Sequence, residues 1–198
     1  MFVTFEGIDG SGKSTQAELL VHALRAEGRE VVSTREPGGT ELGERIRELL
    51  LDGQAISGWA EAALFAAARA QLVEQVIRPA LERGADVVCD RYVDSSLAYQ
   101  GLARGLGLER VLELNLAAVG GLMPDVTFLL LLDPEEALRR HGDEPDRIER
   151  EGGAFQSGVD RAYRELAAAF PQRIVALDAG GAPDELAAEI RGQLRALA

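Results

Sequence analysis

Lysine is nearly absent from this chain of 198 residues: 20 of its 21 basic residues are arginine, and the exception is Lys13. A genome-wide preference for arginine gives such a bias. A hot-living source fits the few Asn, Met and Cys, but arginine for lysine is a weak thermal signal. Cysteine occurs once, at Cys89, which excludes an internal disulfide and fits a reducing cytosol. Asparagine also occurs once, at Asn115. The two histidines, His22 and His141, share no metal-ligand spacing with the cysteine, and neither is given a role. No Ser-His-Asp constellation is readable. No apolar run reaches about 18 residues, so no membrane span is expected. The apolar start Met1-Phe2-Val3 has no basic region before it and reads as a strand rather than a signal peptide. Positive charge is scarce overall, with a net charge of -12, which argues against a general nucleic-acid binder. Anionic ligands must then be held by locally placed arginines. The expectation is a cytoplasmic protein with neither nucleic acid nor membrane as partner.

What is present is a regular alternation. Short apolar runs at Phe2–Glu6, Val31–Thr34, Asp86–Asp90, Val126–Leu132 and Arg173–Leu177 read as strands. Helical spacing fills Lys13–Glu27, Thr40–Leu51, Ser57–Arg83, Leu108–Val119, a stretch ending in Arg161–Phe170, and Pro183–Leu197. Another helix opens at Pro134. Val126–Leu132 is apolar on both faces, as an interior parallel strand should be. The pattern predicts one α/β domain over residues 1–198, a three-layer αβα arrangement around a five-stranded parallel sheet. His141–Gly153 is polar and irregular, and reads either as a mobile lid or as a solvated loop.

Gly7-Ile8-Asp9-Gly10-Ser11-Gly12-Lys13-Ser14 fits the phosphate-cradling P-loop, and it lies between a predicted strand and a predicted helix. Lys13 is placed to reach the transferring phosphates and Ser14 to ligate Mg²⁺. The only lysine of the chain thus stands where such a loop needs a compact, flexible ammonium. Ligands of an open α/β sheet sit beyond the carboxyl ends of the strands. Two arginines emerge there, Arg35 from the second strand and Arg91 from the third, which suggests a second anion site beside the triphosphate. Pro37 keeps Glu36 out of the helical region. Asp90 closes the third strand, where it either helps hold Mg²⁺ or caps a turn. Within Trp59–Gln71, Phe65 and Arg69 lie one turn apart on one helix face. A ring beside a guanidinium suits a flat heterocycle, but a core Phe with a snorkelling Arg gives the same spacing, and spacing alone favours the latter.

The segments FEGIDGSGKST at 5–15, TREPGGT at 34–40, LFAAARAQLVEQVIRPAL at 64–81, DRYVDSSLAYQG at 90–101 and DRIERE at 146–151 resemble the thymidylate kinase family of P-loop nucleoside-monophosphate kinases. The resemblance runs across nearly the whole chain and implies ATP-dependent phosphorylation of dTMP to dTDP, with ATP as co-substrate and Mg²⁺ as cofactor. It implies that Gly7 to Thr15 bind ATP and that Ala179-Gly180 lie near adenine. Asp9 would face the 3′-hydroxyl side of dTMP, and Arg35 and Arg91 would grip its phosphate, with Glu36 in the same acceptor site. Phe65 would stack on thymine and Arg69 would bond its edge, against the reading from spacing. Ser96 and Gln100 would line the base site, and Tyr99 would crowd the 2′ position. The catalytic set so implied is Lys13, Asp9, Arg91 and Arg147 of the lid, with a lid at about 139–153 and a homodimer to which Leu108–Val119 contributes.

One branch of that family carries an arginine inside the P-loop; here Ile8-Asp9-Gly10-Ser11 has none. The other, mainly bacterial branch uses the lid, where Arg147 of DRIE matches. The lid text LRRHGDEPDR is about two residues short. Arg140 is the nearest counterpart of the family's extra lid arginine, so Arg139, Arg140, Arg147 and Arg150 all stand as candidates for the cation at the moving phosphoryl group. Two other readings compete. A kinase for another nucleoside monophosphate or for deoxynucleosides shares the P-loop, but a deoxynucleoside leaves Arg35 and Arg91 without a phosphate. A GTPase-like switch would use Asp178-Ala179-Gly180-Gly181 as D-x-x-G, but no N-K-x-D sequence accompanies it.

Overall fold

The computed structural model describes residues 1–52, 54–140 and 146–197. Five strands, β1 Phe2–Glu6, β2 Val31–Arg35, β3 Asp86–Asp90, β4 Val126–Leu131 and β5 Ile174–Asp178, form one parallel sheet in the order β2-β3-β1-β4-β5. This is the α/β sheet that the alternating pattern predicts. β1, at its centre, is buried throughout, because helices cover both faces.

Parallel strands need crossovers, and right-handed crossovers assign the faces. Helix α1 (Lys13–Ala26) carries the chain from β1 to β2. The connection from β2 to β3 runs the opposite way across the sheet and therefore covers the other face. It consists of α2 (Glu41–Leu51), α3 (Gly58–Leu72), a π-helical segment at Val73–Ile77 and α4 (Arg78–Glu82). On that same face follow α5 (Val93–Ser96), a second π-helical segment at Leu97–Ala103 and α6 (Leu108–Val119). After β4 come α7 (Pro134–Arg140), a short 3₁₀ turn at Glu149–Glu151 and α8 (Gly153–Ala169). The closing helix α9 (Pro183–Leu197) packs on α1.

Local chemistry explains most boundaries. Thr40 caps α2, its Oγ1 accepting from the Gly43 amide at 3.0 Å. Ser57 precedes α3 without making a cap bond. The helix expected over Ser57–Arg83 runs to Glu82, but its hydrogen bonding widens to π geometry after Leu72. The helical stretch Val93–Ala103 had no counterpart in the sequence reading. Part of the segment expected as a lid, residues 141–145 including His141, lies outside the described residues.

The core runs through both faces, with Phe5 and Phe128 ring to ring at 5.6 Å across β1 and β4. One polar bolt crosses it. Arg173 grips Asp94 through two bonds, at 2.5 and 2.7 Å, and Thr127 Oγ1 donates to the same carboxylate at 3.1 Å. Asp94 is 1% exposed, so its charge has little other solvation. This joins α5, which begins just after the Arg91 turn, to the start of β5. Asp94→Ala leaves the partly buried guanidinium without its counter-ion and should cost about 3 kcal/mol in urea unfolding. A loss below about 1 kcal/mol would show that water replaces the carboxylate there.

Candidate active site

Strand register brings the chemistry together. Arg35 is level with Asp90, and Asp90 with Phe5, so Glu6, Arg35 and Asp90–Arg91 reach the carboxyl edge side by side. Two cavities open there. One, of about 730 Å³, is lined by the loop from Asp9 to Thr15, by Arg35, Asp90, Arg91 and Arg140, and by Ala179, Gly181 and Pro183. The other, of about 610 Å³, lies between Phe65, Ser95, Ser96, Tyr99 and Gln100 and the segment containing Asp146 and Ile148. Asp9, Ser14, Glu36, Arg47 and Arg91 line both, so the cavities meet. Gly7 and Ile8 stand behind the loop, and Gly180 sits beside the cavity rather than in its wall.

The loop is shaped by its glycines. Gly10 has φ +80°, and a Cβ there would stand 2.2 Å from the Ala137 carbonyl of α7. Gly12, at φ +90°, opens α1 and turns its amide end towards the cavity. Lys13 Nζ, almost buried, donates to Ile8 O at 2.8 Å and to Asp9 Oδ1 at 3.4 Å. Burial first, and the Arg91 charge second, lower its pKa, against the pull of Asp9 and Asp90.

Arg91 is the hub. Its φ of +67° is unusual for a side chain this large. Its amide donates to Phe5 O, and its guanidinium to Asp9 Oδ1 at 2.6 Å, Gly7 O, Ser95 Oγ and Tyr163 OH. Burial works to raise the Asp9 carboxyl, but the Arg91 and Lys13 charges outweigh it and hold Asp9 well below the usual carboxylate range. Beneath them is Glu6, fully buried, which accepts from the Tyr92 and Ser95 amides, the Ser95 hydroxyl and the Tyr163 hydroxyl. Both hydroxyls therefore spend their protons on Glu6 and turn lone pairs to Arg91. Glu6, Ser95, Tyr163 and Arg47 were missed from sequence. Only Glu6 left a signal, as a charge closing an otherwise apolar strand.

Ser14 Oγ donates to Asp90 Oδ2 at 2.5 Å, while Asp90 Oδ1 is buried and has no partner. Two hard oxygen donors beside a phosphate cradle suit Mg²⁺, which keeps waters and phosphate oxygens as its other ligands. No cluster of three His, Cys, Asp or Glu fit to hold a metal exists among the described residues.

Two arginines are not where the sequence reading put them. Arg69 does not snorkel: it is the largest fully buried side chain. Its five N–H groups meet Glu36 Oε2 twice (2.7 and 2.6 Å), Ser96 Oγ, Asn115 Oδ1 and Tyr92 O. It lines neither cavity, so it reaches a base edge only by exchanging a bond, and its partners Glu36 and Ser96 are the ones at the cavity wall. Arg147 likewise lines neither cavity. Its Nε donates to Leu50 O at 2.7 Å and its Nη2 to Glu61. Arg140 is the arginine of α7 that lines the P-loop cavity, with Nη1 on Ala179 O at 3.0 Å. Arg139 pairs with Glu136 in solvent. Arg35 pairs with Glu44 at 3.1 Å at the cavity rim.

Glu36 is buried with Oε1 unpartnered at the junction of the cavities. Burial pushes its carboxyl from 4.5 up to about 7, against the pull of Arg69. A folded-state pKa above the unfolded one means that the native protein keeps a proton the unfolded chain has lost, so stability falls as pH rises from about 4.5 to about 7. Glu36→Gln should flatten that decline in melting temperature; an unchanged pH profile would place the proton elsewhere.

The family model described as Thymidylate kinase matches residues 5–190. A thymidylate kinase of Synechococcus sp. strain JA-3-3Ab is 53% identical over 190 residues, covering 96% of this chain and 93% of its own. One of Deinococcus radiodurans is 50% identical over 193 residues, covering 96% and 94%. The crystal structure of thymidylate kinase from Ehrlichia chaffeensis matches with a TM-score of 0.81 at 33% identity, over 98% of each chain. With its P-loop cavity joined at Asp9 and Arg91 to a second cleft, the chain belongs to the thymidylate kinase family.

Proposed function

We infer that the chain transfers the γ-phosphoryl group of ATP to the phosphate of dTMP, giving dTDP and ADP. One observation carries the division of labour: the P-loop cavity and the cleft under Phe65 meet at the Asp9–Arg91 pair, so a donor and an acceptor nucleotide can face each other there. In-line transfer between two anions needs positioning and positive charge more than covalent chemistry. Backbone amides of the loop and Lys13 hold the triphosphate. Ser14 and Asp90 would hold Mg²⁺, which supplies charge neutralisation when bound. Ala179, with Gly180 beside it, gives adenine a wall.

On the acceptor side, Arg91 and Arg35 take the dTMP phosphate, Arg35 by exchanging Glu44 for it. Asp9 accepts from the 3′-hydroxyl, and Glu36 stands at the junction. Phe65 stacks on the base, Ser96 and Gln100 read its edge, and Tyr99 fills the space that a 2′-hydroxyl needs. None of the helices among the described residues is long and apolar enough to cross a membrane. The same reading extends to a cytosolic location and a homodimer with α6 in its interface.

Incubation with ATP and Mg²⁺ should convert dTMP to dTDP with kcat/KM about 100-fold or more above that for UMP or AMP, and should leave thymidine unphosphorylated. Efficient turnover of thymidine or AMP in place of dTMP would sink the assignment. The lid arginine is tested separately. Arg140→Ala should lower kcat by about 100-fold or more with little change in the KM for dTMP, as for a cation that acts in the transition state. Arg147→Ala should act mainly on KM, because it frees a segment at the mouth of the acceptor cleft. Reversed effects would return the phosphoryl contact to Arg147.

A further inference from the structure

Glu61 lies on α3 with no exposed surface, and donors converge on it from two other segments. Oε1 accepts from Gln100 Nε2 at 2.8 Å and from Arg104 Nε at 2.6 Å. Oε2 accepts from Arg104 Nη2 at 3.0 Å and from Arg147 Nη2. Burial works to raise the carboxyl, but these bonds outweigh it and hold it below its ordinary value. Glu61 is therefore a carboxylate, and a carboxylate only accepts.

This has a consequence for Gln100. A primary amide has a donor end and an acceptor end, and its neighbours decide which way it faces. Its NH₂ must face Glu61, which turns its Oε1 away. Gln100 lines the acceptor cleft, and no described residue donates to that oxygen. Beside it, Ser96 Oγ accepts from Arg69 at 3.0 Å, so its own proton remains for a ligand carbonyl. The wall thus offers a donor at Ser96 and an acceptor at Gln100. Thymine offers the complement, a C4 carbonyl next to N3–H. Cytosine in the same register sets an amino group against the Ser96 donor and a lone pair against the Gln100 acceptor.

We propose that Glu61 is a specificity-determining positioning residue: it fixes the Gln100 amide with its carbonyl in the acceptor cleft, admitting pyrimidines that carry N3–H and refusing those with an N3 lone pair. This rests on the dTMP kinase reading above. Glu61→Gln inverts the wall. The new side chain gives its oxygen to Arg104 Nη2 and Arg147 Nη2, gives up the bond from Arg104 Nε, and turns its NH₂ to Gln100. Gln100 then turns its carbonyl inward and its NH₂ into the cleft.

The test compares kcat/KM for dTMP, dUMP and dCMP in the wild type, Glu61→Gln and Glu61→Asp. The ratio of dTMP to dCMP should fall about tenfold or more in Glu61→Gln, because one hydrogen bond changes sign, and the ratio of dTMP to dUMP should stay, since both bases carry N3–H. The KM for ATP should not move, and Glu61→Asp, which keeps the carboxylate, should retain the dTMP preference. A folded Glu61→Gln whose dTMP to dCMP ratio stays within about twofold of wild type overturns the proposal. If that variant does not fold, the wild type decides through N3-methyl-dTMP. A loss of about tenfold or more in affinity supports an acceptor facing N3, and a change within about twofold overturns it. Wild-type protein that does not phosphorylate dTMP refutes the function itself, a separate outcome from an unchanged ratio in an active variant.

Discussion

A largely buried guanidinium needs its charge balanced, and Arg91, whose side chain is 15% exposed where the two cavities meet, imposes that demand at the centre of this molecule. Asp9 supplies the charge from the phosphate loop. Ser95 and Tyr163 supply lone pairs, and Glu6 sets the direction of both by taking their protons. The left-handed backbone at Arg91 is held by a bond from its amide to β1. Loop, sheet, α5 and α8 are thereby fixed to one side chain. A second buried guanidinium, Arg69, repeats the arrangement under the base cleft with Glu36, Ser96 and Asn115.

An acidic protein that binds two anions has to concentrate its positive charge, and the structure shows how. Most surface arginines are neutralised by neighbouring carboxylates, as Arg45 is by Glu41 and Arg164 by Asp160. At the cleft, Lys13, Arg47, Arg91 and Arg140 line one shared volume, where Asp9 pairs with Lys13 and Arg91, Asp90 accepts from Ser14, and Glu36 pairs with Arg69 behind the wall. Local arrangement, rather than net charge, makes the site cationic.

The strands and the phosphate loop were legible because their signals are local: apolar runs of the right length, and glycines at fixed spacing. Val93–Ala103 was not. Its second part is π-helical, so side chains there do not follow the 3.6-residue period, and the residues this displaces, Tyr99 and Gln100, are those that wall the acceptor cleft. Arg69 could be seen as an isolated charge on an apolar helix, but its burial depends on Glu36 and Asn115, which lie 33 and 46 residues away. Arg147 carried the better motif match, yet Arg140, three positions into the turn after Ala137, is the one that lines the phosphate cavity. Motif text records which residues are present; the docking of Arg147 on Glu61 belongs to the packing of α3.

The close approach of Gly10 to the Ala137 carbonyl makes two designs mutually exclusive. Helix α7 roofs the loop at that point, so no side chain can grow from position 10 unless the roof lifts, and the roof is the element that ends in Arg140. A side chain at position 10 and an Arg140 held over the phosphate cavity therefore exclude each other.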